Sequence, residues 1–292
     1  MNVALFGKTI SANDTLYLQE FIDKLSSLNG LIYIYESFFD TIRETIRFDR
    51  KPIMFTVQQE IRDKVEYLFS IGGDGTLLST ITLVGDSGIP IIGINIGKLG
   101  FLSGISKEEI LPALDDIIKK KCQVDERTLL QLETKDRLFG GFNYALNDFT
   151  IYKSSPNSML AIKTFINDEF LNTYWADGLI VATPTGSTAY SLSCTGPIIT
   201  PDSENFVITP IASHNLTVRP IVIPDTSIIR IMVESRNIEC YIGLDSRIRK
   251  LDVPTELVIR KENFKINLIK MTGRNFFETI RAKLNWGLDI RN

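Results

Sequence analysis

The chain has 292 residues, enough for one large domain or two ordinary ones. Hydrophobic residues make up 44% and charged residues 23%, a globular balance, and no apolar run is long enough to cross a bilayer. The net charge of −3 argues against broad nucleic-acid binding, though a few local donors could still hold a nucleotide.

Met1 to Gly7 lacks the basic start and long apolar stretch of a signal peptide and reads as a first strand, Val3 to Phe6. From Asn13 to Leu28 the apolar residues Leu16, Leu18, Phe21, Ile22, Leu25 and Leu28 recur at the spacing of one helical face. Leu31 to Tyr35 reads as a strand, Phe38 to Phe48 as a helix and Val65 to Ile71 as a strand. Then come Gly72-Gly73-Asp74-Gly75-Thr76 and a helix from Leu77. Ile89 to Asn95 is a further strand. Lys107 to Lys120 is a helix, with Ser106 and Glu109 at capping-box spacing and lysines at its C-terminal end. Strands alternating with helices predict a parallel sheet, with ligands at the carboxyl ends of its strands.

After about residue 122 the pattern changes. Short strand-like runs cover 129–134, 141–146, 149–153, 160–166, 206–211, 228–234, 238–242, 256–260 and 265–269, with a turn signal at Asn167-Asp168-Glu169. Asn275 to Trp286 reads as helical again. The expected fold is an α/β N-terminal domain with a parallel sheet (1–122), then a β-rich, sandwich-like C-terminal domain (123–274). The final stretch, 275–292, is expected to return as a helix packed on the first domain.

The Gly72-Gly73-Asp74-Gly75-Thr76 loop carries the clearest chemical signal. Glycines let a backbone turn sharply and approach a ligand, and a helix start offers free N–H groups to an anion. Asp74 would repel bare phosphate. Either it takes a proton from a hydroxyl nucleophile, or it holds a divalent cation that bridges to phosphate, or it is a turn residue. A second candidate is Asp177 to Ser191, an apolar strand running into Thr183-Pro184-Thr185-Gly186-Ser187-Thr188 with a short helix from about Ser187. Crowded hydroxyls and N–H groups there suit a nucleotide, or simply cap a helix.

These segments, with Gly93 to Leu102, Asn147-Asp148 and Gly196-Pro197, occur in an order that resembles NAD kinase from about residue 65 to Lys283-Leu284-Asn285-Trp286. The glycine-Asp loop alone is shared with diacylglycerol kinases and 6-phosphofructokinases. The resemblance implies transfer of the γ-phosphate of ATP, or of polyphosphate, to the 2′-hydroxyl of the adenosine ribose of NAD, giving NADP. It implies Asp74 as general base with Gly75 beside it, and Asn147 and Asp148 on the adenosine part. It puts Asp177 at the nicotinamide end, and Thr185 with Thr188, Ala189, Tyr190, Ser191, Leu192 and Ser193 around NAD in the β-rich domain. Gly72, Gly73, Thr76, Lys98 and Arg247 are candidate phosphate contacts. A divalent cation, Mg2+ with ATP, is implied, with no protein-only metal site. Dimers or tetramers are also implied, without nucleic-acid or membrane partners.

Three positions depart from the family pattern: Asp148 where Glu is usual, Trp175 where some relatives carry a basic residue, and Asp245-Ser246-Arg247 near a family Asp site. The shorter Asp148 changes the reach to the ribose, and Trp175 leaves the choice between NAD and NADH open. Cys122, Cys194 and Cys240 show no metal-binding spacing and read as thiols in a reducing, cytoplasmic compartment. The lone His214 reads as structural, and there is no Gly-x-x-x-x-Gly-Lys-Ser/Thr loop. A lipid kinase and a non-catalytic NAD(P) sensor are the competing readings.

Overall fold

The computed structural model of the chain describes residues 1–97, 100–155, 159–234, 239–273 and 275–287. Two compact units emerge: Met1–Glu126 with the stretch from Ile266 onward, and Arg127–Lys265.

The first unit alternates strand and helix: β1 Val3–Gly7, α1 Thr15–Ser27, β2 Ile32–Tyr35, α2 Glu36–Ile42, β3 Ile53–Phe55, β4 Tyr67–Ile71, α3 Asp74–Val84, β5 Ile91–Asn95, β6 Ile105–Ser106 and α4 Ile110–Ile118. The strands are parallel in the order β3-β2-β1-β4-β5, and β6 continues beyond β5. The chain runs outward from β1 to β3, then returns to the other side of β1 as β4. The crevice at the carboxyl ends of β1 and β4 is therefore the topological switch point. The α1 face buries Leu18, Phe21, Ile22 and Leu25, each worth roughly 1.5–3 kcal/mol. Leu16, at the same apparent spacing, is left 66% exposed.

Boundaries differ from the sequence reading in physical ways. The helix after the glycine loop starts at Asp74, with Gly73 as its N-cap, so Asp74 lies in the first helical turn. Helix α2 begins at Glu36 and ends at Ile42. Strand β3 escapes notice because it is three residues long and exposes Ile53 and Met54. At α4, Glu109 accepts from both the backbone N–H and the hydroxyl of Ser106, and a 3-10 turn precedes the helix.

The second unit comprises two antiparallel sheets, and its first and last strands, β7 and β18, run on into the first unit before Arg127 and after Lys265. Its strands are β7 Cys122–Thr134, β8 Tyr144–Ala145, β9 Asp148–Lys153, β10 Leu160–Ile166, β11 Glu169–Ala176, β12 Gly178–Ala182, β13 Asn205–Ile211, β14 Ile221–Pro224, β15 Ile229–Glu234, β16 Cys240–Leu244, β17 Arg247–Leu251 and β18 Thr255–Met271. One sheet has the order β14-β13-β12-β9-β16-β17; in the other, β11, β10, β15 and the first part of β18 are neighbours. Alternating residues from both sheets, among them Phe149, Ile151, Leu179, Val181, Ile162, Ile231 and Leu257, make one core. Asn167 and Asp168 both take positive φ, at 50° and 67°, in the tight turn joining β10 to β11. The two runs expected at 256–260 and 265–269 are one continuous strand, because Lys261-Glu262-Asn263 interrupts the apolar pattern but not the backbone. The run expected from 238 begins at Cys240, Ile238 lying outside the described residues.

The short helix α5, Tyr190–Ser193, follows a 3-10 turn at Thr185–Thr188. The last helix, α6 Phe276–Leu284, is capped by Asn275, whose side chain accepts from the Glu278 N–H at 2.9 Å.

Candidate active site

In the first unit, Asp74 is gripped by backbone. Its Oδ2 accepts the Phe101 N–H at 2.7 Å, and its Oδ1 accepts the Leu102 and Ser103 N–H groups at 3.1 and 3.0 Å. Gly100 makes this grip possible: a Cβ there would overlap the Asp74 carboxylate outright. Gly72 has φ +148° and its missing Cβ leaves room for the Thr76 side chain. Gly73 and Gly75 face open space, with nothing within 4 Å of a Cβ placed on either. The Asp74 and Gly75 amides of the first turn of α3 have no helical carbonyl to bond, while the Thr76 N–H donates to the Gly73 carbonyl at 2.9 Å, so this end still offers donors. Thr76 is buried beneath it. Lys98 lies outside the described residues.

In the second unit a different carboxylate holds a loop. Asp245, at φ 52° in the turn between β16 and β17, accepts the N–H groups of Leu146, Asn147 and Asp148 at 3.0, 2.7 and 3.3 Å. Its own N–H donates to the Asp148 carbonyl at 3.0 Å. The 183–186 turn is stitched to the same loop. The Thr183 hydroxyl donates to the Leu146 carbonyl at 2.5 Å and its N–H to the Asn147 carbonyl at 2.9 Å. A Cβ on Gly186 would collide with that Asn147 carbonyl, so only glycine fits. Arg127 donates to the Thr185 hydroxyl at 3.1 Å.

Asp148 is only 6% exposed. Burial chiefly, and the nearby Asp245 charge second, push its carboxyl up to about 7. Burial also raises Asp245, against the opposing pull of its amide donors. Both guanidinium Nη groups of Arg247 are used on backbone carbonyls, those of Phe142 and Tyr144, and its group stands over the Tyr144 ring at 5.9 Å.

The structure thus groups Asn147, Asp148, Thr185 and Thr188 around one pair of loops. Thr188 itself donates to the Thr185 carbonyl at 3.2 Å. Along the next turn, Tyr190 and Ser193 are exposed and Leu192 and Ala189 half-buried. Ser191 is fully buried, its hydroxyl 2.9 Å from that of Thr209. Asp177 is not part of this group. It sits at the opposite end of β12 from Thr183, about 20 Å away at strand rise. There its carboxylate pairs with Lys153 at 2.5 Å. Trp175 is 45% exposed on β11, and its carbonyl accepts the N–H of the exposed His214 at 2.9 Å. The three cysteines are free thiols.

Sequence reasoning gave no role to Asp245, Gly100 or Arg127. The Asp245-Ser246-Arg247 turn was the one visible signal. Nothing local in the sequence points Gly100 at Asp74.

Residues 40–122 match the family model of the ATP-NAD kinase N-terminal domain, and residues 146–271 that of the ATP-NAD kinase C-terminal domain. The whole chain aligns at 44% identity with the whole of an NAD kinase from Cytophaga hutchinsonii, and at 40% with the whole of one from Bacteroides fragilis. The chain belongs to the NAD kinase family. As a member it is an ATP-dependent phosphotransferase with NAD as the acceptor. A crystal structure of yeast NADH kinase complexed with NADH superposes on the entire chain and on 89% of its own length, with a TM-score of 0.87 at 27% identity. An NAD kinase from Archaeoglobus fulgidus, solved in complex with ATP, shares the fold, with a TM-score of 0.73 at 22% identity over 98% of this chain.

Proposed function

We propose that Asp74 accepts the 2′-hydroxyl proton of the adenosine ribose as the γ-phosphate of ATP passes to that oxygen, giving NADP. The observation that carries this is the three-amide grip on Asp74 beside the open Gly73 and Gly75. Phosphoryl transfer is mainly positioning and charge neutralisation, and a carboxylate fixed by backbone keeps its aim without relying on a flexible side-chain partner. Among the described residues Oδ2 accepts a single N–H, which leaves it lone-pair capacity toward a hydroxyl.

In this reading Gly72, Gly73 and Thr76 shape the phosphate end, and Gly75 lies against the ribose. Asn147 and Asp148 contact the adenosine part. Thr185 and the stretch from Thr188 to Ser193 wall the dinucleotide, and Asp177 meets its nicotinamide end.

Among the described residues no three His, Cys, Asp or Glu side chains form a cluster able to hold a metal ion. The divalent cation of this reading is one that would arrive bound to the nucleotide. Mg2+ bound with ATP supplies charge screening for the triphosphate. The cytoplasm is the proposed compartment, and a homodimer or homotetramer would cover the free sheet edges β11, β14 and β17.

Incubation with ATP, Mg2+ and NAD tests the reading, with NADP as the expected product. Phosphorylated lipid in place of NADP would favour a diacylglycerol kinase activity. NAD binding without turnover would favour a sensor.

A further inference from the structure

The hairpin that joins β7 to β8 borders a cavity of about 620 Å3, within the range of roughly 300–1,000 Å3 for small-molecule sites. It lies wholly within the second unit, and none of its lining residues belongs to the loops around Asp74 or Thr185. One side is apolar: Leu132 and Phe139, both buried, form a wall. Arg137 lines the same space with an exposed guanidinium that has no ion-pair or hydrogen-bond partner among the described residues. Arg249 stands over the Phe139 ring at 5.5 Å and adds a second positive charge to the wall. Glu133 is the one carboxylate among the lining residues, and Arg260 pairs with it.

The neutral groups of the lining are donors as well. The Thr134 hydroxyl accepts the Leu138 N–H at 3.1 Å, and its own proton has no acceptor among the described residues. The Gly141 N–H makes no hydrogen bond to another described residue. Nothing lies within 4 Å of a Cβ placed on Gly140 or Gly141, so this side is open to a ligand. Positive charge, free donors and an apolar wall together suit an organic anion.

The hairpin leads directly into the 146–148 loop. Asn143, a lining residue, stands between Phe142 and Tyr144, whose carbonyls both accept from Arg247. Two residues before Arg247 is Asp245, whose carboxylate holds the Leu146, Asn147 and Asp148 amides. A ligand that fixes residues 137–143 therefore also fixes the carbonyls on which Arg247 is seated, and with them the turn that sets the 146–148 backbone. Ordering that loop in advance lowers the cost of binding whatever it contacts.

We propose that this cavity is a regulatory site for an organic anion, a carboxylate or phosphate monoester on an apolar body, and that its occupancy tightens NAD binding. An inorganic ion would use Arg137, Thr134 and Gly141 but leave Leu132 and Phe139 facing water. A neutral apolar molecule would leave Arg137 unpaired. The tightening rests on the kinase reading, which puts NAD against Asn147 and Asp148; the anion site does not.

Benzoate and phenyl phosphate are the probes, one for each anionic group, with benzyl alcohol as the neutral control. Calorimetry on the full chain without nucleotide should show binding of at least one anion, and binding of the alcohol weaker by about tenfold or more. Arg137→Met should weaken the anion about tenfold, the worth of one charge-assisted hydrogen bond. Gly141→Phe, which fills the cavity, should abolish binding. Without the anion both variants should keep wild-type kcat and KM for NAD. With the anion saturating, Kd for NAD should fall about fivefold, and NAD should tighten the anion by the same factor. Failure of both anions to bind, or binding that both variants leave unchanged, would overturn the site. An unaltered or weakened affinity for NAD would overturn the regulatory role. A wild type that binds the anion yet makes no NADP would instead remove the kinase reading and leave the site standing.

Discussion

The carboxylate of Asp245 reaches across 98 residues of sequence to accept the Asn147 N–H at 2.7 Å. The same group takes the N–H groups on either side, so one side chain sets the path of the backbone at Leu146, Asn147 and Asp148. Asp245→Asn keeps the shape but turns a donor toward at least one of these amides. The expected cost is roughly 1–3 kcal/mol of stability, read as a lower thermal midpoint. KM for NAD should rise more than kcat falls, because the displaced groups are those proposed to contact the acceptor. A variant as stable as wild type with unchanged KM would show that the clasp does not position this loop.

Asp148 and Asp245 together make stability depend on pH. Between about pH 4 and pH 7 the folded chain keeps a proton on Asp148 that the unfolded chain has released. Raising the pH through that window therefore destabilises the fold, by up to roughly 4 kcal/mol, and further increase adds nothing from this group. Thermal midpoints measured from pH 5 to pH 8 should fall for the wild type and flatten in Asp148→Asn. Asp245→Asn removes the like charge and should shift the Asp148 titration down. A wild-type profile no steeper than that of Asp148→Asn would contradict the burial of this carboxyl.

Asp74→Asn should lower kcat by roughly 10²–10⁴-fold, the usual worth of general-base assistance, while NAD binding stays measurable. Single-turnover formation of NADP is the appropriate readout. Near-normal turnover would take Asp74 out of the base role.

Gly100→Ala attacks the same carboxylate without touching it chemically. The added methyl cannot coexist with Asp74 in its present place, so either the 101–103 amides or the carboxylate must move. A displacement on the order of 1 Å can cost about 100-fold in rate. The variant should stay folded by circular dichroism and lose most of its kcat. Full activity would mean that the loop relaxes without disturbing Asp74.

Much of the first unit was legible because its strands are buried apolar runs and its helices have clear faces. Phe21, Ile22 and Leu25 announce α1, and Ser106 with Glu109 announce the start of α4. Beyond that, local pattern runs out. β17 reads Arg-Ile-Arg-Lys-Leu and forms because β16 pairs with it, not because its own residues alternate. The long β18 looks like two strands because its polar middle breaks the apolar rhythm. At the site, the glycine-Asp loop and the 183–188 turn were visible as chemistry. The residues that hold them in place act across 26 and about 100 positions: the Asp245 turn was visible without its partner, and nothing local points Gly100 at Asp74.

The amide grip on Asp74 has a consequence for variation. Every residue but proline brings the same N–H, so the aim of the carboxylate is indifferent to what side chains stand at 101 and 102. Those two half-buried positions, Phe101 and Leu102, are the natural places to diversify a library around this centre, with proline the one letter to leave out.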